Sequence, residues 1–99
     1  MNRKNDKQII NDESIIRKNI EIDDADLDGE KVMMNLDKGK YFSLNEVGSR
    51  IWTIISTSMS IKGITDILIK EYDVDYETCK VEVIKFIKKL YEDDLIEIN

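Results

Sequence analysis

The hydrophobic positions change their period once, near residue 45, and that change divides the chain into a strand half and a helical half. Residues 1–14 mix charges and amides around Ile9 and Ile10 without sustained period, which predicts a flexible arm ahead of one domain over residues 15–99. From Ile15 to Asp28 the run IIRKNIEIDDADLD sets Ile20 and Ile22 two apart and closes on Asp28-Gly29, a dipeptide suited to hairpin turns. A second strand follows in KVMMNLD (31–37), a second tight turn at Lys38-Gly39, and a third strand in KYFSLN (40–45). Alternation puts Phe42 and Leu44 on one face of that third strand and Tyr41 and Ser43 on the other.

From Asn45 the spacing becomes helical. Asn45 is a favoured N-cap, Glu46 suits the helix dipole, and Val47, Ile51, Trp52, Ile54 and Ile55 mark one face. The polar break STSMS (56–60) offers Ser60 as the next cap, and Ile61, Ile64, Leu68 and Tyr72 form the inward stripe of a second helix. Asp75 caps a third helix over about residues 76–94, with Val74 and Cys79 placed for a hydrophobic staple. The tail LIEIN is apolar enough to pack back on the sheet. The expected fold is therefore α+β and winged-helix-like, a three-stranded antiparallel sheet followed by three helices (βββααα).

Composition narrows the chemistry. Fifteen basic and 21 acidic residues give a net charge of −6, with no histidine, no proline and one cysteine. Without histidine there is no imidazole acid or base, no histidine-based nucleophile dyad and no histidine-ligated metal. A single thiol closes no internal disulfide and builds no thiolate cage, which fits a reducing, cytoplasmic setting. No apolar run is long enough to span a bilayer, and the first residues lack the hydrophobic stretch of a signal peptide. The acidic balance argues against phosphate binding as the main task. The run Asp23, Asp24, Asp26, Asp28 lacks the glycine and glutamate spacing of a calcium loop and is read as a solvated strand and turn. Trp52 and Cys79 are read as core, and Asn45 as a cap. For Tyr41, binding and edge packing stand as equal readings.

The third helix is apolar over a wide arc. At about 100° per residue, with Ile84 at zero, Val83, Phe86, Ile87 and Leu90 fall between roughly −160° and −60° and form the core stripe. Val81, Ile84 and Tyr91 fall between about −20° and +60°, with Lys88 among them. This second stripe covers a sheet edge or a neighbouring subunit, widens the core, or floors a groove with Lys80, Lys85 and Lys88 as cationic rims. A groove beside an exposed strand suits β-augmentation, in which a peptide pairs its backbone with the edge and drops alternate side chains into pockets.

Three segments carry a resemblance: KVMMNLDKGKYFSLNEVGSRIW (31–52), ILIKEYDVD (67–75) and VEVIKFIKKLYEDDLI (81–96). Together they resemble the PqqD-like family of precursor-recognition domains, over about residues 15–97. The resemblance implies a winged-helix-like βββααα fold that binds the leader segment of a ribosomally made precursor peptide as an extra strand on the third strand, against the third helix. It implies that the backbone of Lys40, Tyr41, Phe42 and Ser43 pairs with the leader while Val81, Ile84, Lys85 and Lys88 contact its side chains. Lys80 and Tyr91 join these from the groove reading. It implies no catalytic residue, cofactor or metal, and an adaptor that presents precursor to a separate enzyme. That enzyme is a lasso-peptide leader peptidase or, as another use, a radical SAM maturase. The expected protein is a cytoplasmic monomer or weak dimer that binds neither nucleic acid nor membrane. The competing reading is a winged-helix DNA-binding regulator, which the six acids against four lysines in residues 75–94 disfavour.

Overall fold

Asn19 ends the first strand early. Its side-chain Oδ1 accepts from the Glu21 N–H at 3.0 Å and its carbonyl from the Ile22 N–H at 3.1 Å. An Asn that bonds its own backbone two residues on makes a turn rather than a ladder. The computed structural model describes residues 10–99, with β1 (Ile15–Lys18), β2 (Asp23–Leu27), β3 (Glu30–Asn35), β4 (Lys40–Ser43), α1 (Glu46–Ile54), β5 (Met59–Ser60), α2 (Ile61–Glu71), α3 (Tyr76–Glu92) and β6 (Ile96–Ile98). The single long strand expected over 15–28 is thus two strands, and Ile20 between them is 94% exposed.

The fold is α+β, as expected, but the βββααα order is corrected to six strands in two antiparallel sheets. One sheet is the meander β2-β3-β4; the other is β5-β1-β6. Two short strands account for the difference. Met59 and Ser60, inside the polar break, pair with Ile16 and Ile15. The C-terminal tail pairs Ile98, Glu97 and Ile96 with Ile16, Arg17 and Lys18. Strands of two and three residues carry too little periodicity to be read from sequence.

The hairpin between β2 and β3 is the two-residue turn that Asp28-Gly29 predicts, with φ of 54° and 86°. The β3–β4 connection is longer than the expected two-residue turn. Asn35 pairs with Lys40, leaving residues 36–39 as the loop, closed by the Lys38 N–H on Asn35 Oδ1 at 3.2 Å. All three predicted helix caps are present: Asn45, Ser60 and Asp75 accept from the N–H of Gly48, Gly63 and Thr78.

Residues 10–14, assigned by sequence to the flexible arm, are held. The Ser14 and Asp12 carbonyls accept from the Ile61 and Lys62 N–H groups, each at 3.0 Å, at the start of α2. Asp12 also meets the Lys80 ammonium at 3.1 Å. Residues 1–9 of that arm lie outside the described residues.

The core joins both sheets to all three helices through Ile16, Met33, Trp52, Ile64, Ile87 and Leu95. Trp52, fully buried, donates its indole N–H to Asp24 Oδ2 at 2.7 Å, and the Lys18 ammonium lies 4.6 Å from its ring centroid. Lys18 on β1, Asp24 on β2 and Trp52 on α1 therefore meet at one point. Burial lowers the Lys18 pKa, and the Asp24 carboxylate opposes that shift.

Two outcomes follow from these contacts. Asp24→Ala leaves a buried indole donor without its acceptor and should lower stability by about 1–3 kcal/mol, with Asp24→Asn losing less because an amide oxygen remains. Urea unfolding followed by Trp52 fluorescence measures this, and equal midpoints for Asp24→Ala and the parent would contradict it. The Asp75 carboxyl, accepting from the Thr78 backbone and hydroxyl, is held below the usual aspartate range. A lowered folded pKa stabilises above the unfolded value of about 3.9 and loses that effect as pH falls through the folded value. The stability gap between the parent and Asp75→Ala should accordingly be widest near neutrality and shrink on acidification, as unfolding curves at several pH values will show.

Candidate functional site

β4 is an edge strand; no described strand pairs with its outer side. The Leu44 N–H bonds the Lys31 carbonyl at 2.9 Å, and hydrogen-bonded pairs alternate along an antiparallel ladder. Phe42 and Lys40 therefore share that bonding phase toward β3. The N–H and C=O groups of Tyr41 and Ser43 face the open edge. Such a row of unpaired backbone groups is a template for another strand.

Beside this edge lies a cavity of about 300 Å³ between β4 and α3, lined by Phe42, Ser43, Leu44, Asn45, Phe86, Lys89, Leu90, Asp93 and Leu95. A second cavity of about 460 Å³ adjoins it between α1, α2 and α3, and both share Asn45 and Phe86. Val47, Ile51, Leu68, Val74, Cys79 and Val83 give the second a largely apolar wall. Phe86 stands where the two meet. A methyl group built on Gly48 of α1 would come 3.0 Å from the Phe86 ring, so the absent side chain lets that ring lie against α1.

The four residues predicted on the edge strand, Lys40, Tyr41, Phe42 and Ser43, make up β4 itself. Phe42 is half-buried and lines the groove with Ser43, while Tyr41 is 75% exposed on the outer face and Lys40 is exposed. The six predicted on α3 are placed differently. Lys80 is engaged by Asp12 and by Glu77 at 3.6 Å, and its hydrogen bond to Asp12 raises its pKa. Ile84 and Tyr91 pack half-buried against the core. Val81 is 49% exposed, Lys88 is exposed, and Lys85 pairs with Glu82 at 3.5 Å.

At about 100° per residue Glu82, Lys89 and Asp93 lie within about 60° of Phe86, Lys85 about 100° away, and Val81, Ile84, Lys88 and Tyr91 about 140–160° away. The apolar second stripe and the groove thus occupy opposite flanks of the core stripe. The wheel gives no sign of which flank meets the sheet edge. Phe86, Lys89, Leu90 and Asp93, which line the cavity beside β4, are for that reason not among the site residues predicted from sequence; the usable signal was Phe86, a large ring on the border of the core stripe.

Trp52 is core, and Cys79 is a buried thiol whose pKa is raised, first by burial and then by the Asp75 charge. Among the described residues there is no cluster of three or more histidine, cysteine, aspartate or glutamate side chains fit to hold a metal ion, and no helix is long and apolar enough to cross a membrane.

Comparison with known proteins bears on this groove. No curated protein matches the sequence. Among solved structures, the chain is similar to TbiB1 in complex with the TbiA(beta) leader peptide, at 32% identity over 82% of this chain and 94% of that chain, with a TM-score of 0.77. It shares its fold with a lasso peptide synthetase B1 complexed with the leader peptide, at 22% identity over 83% of this chain and 96% of that one, with a TM-score of 0.76. A family model described as coenzyme PQQ synthesis protein D (PqqD) matches residues 30–96, which takes in the meander from β3 onward, all three helices and the start of β6. With more than half its length inside that model, the chain belongs to the PqqD family.

Proposed function

We propose that this protein binds the leader segment of a ribosomally made precursor peptide as a fourth strand on β4 and presents it to a separate maturation enzyme, in first place a lasso-peptide leader peptidase. The open edge of β4 beside the α3 groove carries this reading. Backbone bonds to Tyr41 and Ser43 supply affinity that is indifferent to sequence. Alternate leader side chains, entering between Phe42 and Phe86, supply the selectivity. Membership in the family and the likeness to TbiB1, a protein bound to a leader peptide, support the same assignment. The protein does no chemistry itself in this account. Phosphate binding is not favoured, since Lys80 and Lys85 on α3 already face Asp12 and Glu82.

The chain's cognate leader, made as a labelled synthetic peptide, is the direct probe. Fluorescence anisotropy should show saturable binding; a flat titration would overturn the proposal. Ser43→Pro deletes one outward N–H and leaves the ladder to β3 in place, an exchange that edge strands tolerate. It should weaken the leader by about tenfold or more, the scale of one lost backbone bond together with local misfit. Phe86→Ala, which empties the meeting point of the two cavities, should cost at least as much, as large central aromatic contacts do. Val81→Asp, on the far flank of α3, should bind normally; if Val81→Asp abolished binding and Phe86→Ala did not, the groove would lie on the other side of the helix.

A further inference from the structure

The meander has a second face. Met33, fully buried, pairs with Asp24 and Phe42, so that register points toward the helices. The alternate register, Leu27, Val32, Met34 and Tyr41, faces away from them. Leu27 is 60% exposed and Tyr41 75%. The loops at the Met34 end add Leu36 at 72% and Ile20 at 94%. Four of the six large apolar side chains most open to solvent among the described residues therefore belong to this one sheet and its loops. Such a concentration marks an interaction surface, whereas scattered apolar residues do not.

Charge says what kind. Asp24 and Asp26 point to the helix side, where Lys18 and Lys31 meet them at 3.8 and 3.0 Å. Asp23 and Glu30 share the outer register and Asp28 sits in the turn between them, in the stretch that carries much of the chain's acidic surplus. A second copy of this face would set carboxylate against carboxylate. The complementary surface has an apolar centre and a rim of lysine and arginine. We propose that the outer face of the meander docks the maturation peptidase through a patch of that composition, an inference that rests on reading the chain as a leader-binding adaptor. The face and the groove lie on different sides of the same sheet, so leader and peptidase bind together. Tyr41 belongs to both, with its backbone on the leader edge and its ring on the docking face.

The test uses the full chain and its cognate leader peptidase, purified separately, with leader affinity measured in parallel. The double variant Leu27→Lys, Leu36→Lys places cations against the expected cationic rim and touches neither β4 nor α3. It should lose peptidase affinity by about tenfold or more while binding the leader as the parent does, and the parent's peptidase affinity should fall as salt is raised. Unchanged peptidase binding by the double variant overturns the proposal. So does a parent that binds leader and ignores the peptidase, or a parent self-association that the variant abolishes. If the parent binds neither peptidase nor leader, the adaptor reading falls with it.

Discussion

The need of one buried indole for a hydrogen-bond acceptor fixes where the meander sits. Trp52 is fully enclosed, and an N–H enclosed without a partner costs as much as several favourable contacts return. Asp24 meets that need from β2, and Lys18 from β1 lies over the same ring. Both sheets are thereby referred to α1. Ser49, one turn earlier on α1, adds a second tie: its hydroxyl accepts from the Lys31 N–H at 2.9 Å and donates to the Leu44 carbonyl at 3.2 Å. Both strands of the β3–β4 pair are thus held, at one end, to one helical side chain, and β4 is left as the outer edge.

The groove follows from how α3 meets this frame. Gly48 lets the Phe86 ring lie against α1, and Val83, Ile87 and Leu90 bury the stripe beside it. The flank of α3 carrying Phe86, Lys89 and Asp93 then faces β4 across an open space instead of closing on it. The other flank is occupied. Ile84 and Tyr91 pack on the core, and Lys80 is bound to residue Asp12 of the segment that leads into β1. In the proposed mode this geometry also guards an edge strand that would otherwise invite indiscriminate pairing, since a strand added to β4 runs beside the cavity between Phe42 and Phe86.

Much of the fold was legible because its signals are local. The caps at Asn45, Ser60 and Asp75, the Asp28-Gly29 turn and the core role of Trp52 each rest on chemistry within a few residues. The edge strand was placed at the right residues for the same reason. What could not be read depends on distant partners. β5 and β6 are strands only because β1 lies between them, and Asn19 interrupts the first strand through a bond whose alternative, a continuous ladder, had equal sequence support. The groove along α3 was half-legible: the width of the helix's apolar arc was plain, yet which flank the sheet edge faces follows from Gly48 and Trp52, residues on another helix.

Strand addition on β4 makes one claim that no other mode of binding shares: the two backbone N–H groups that change partner are those of Tyr41 and Ser43, while the N–H of Phe42 between them is already in the ladder. Residue-resolved amide hydrogen exchange, with and without saturating leader peptide, reads this directly. The account predicts strong new protection at Tyr41 and Ser43 and little change at Phe42. Protection confined to the far flank of α3, with Tyr41 and Ser43 exchanging as fast as in the free protein, would contradict it.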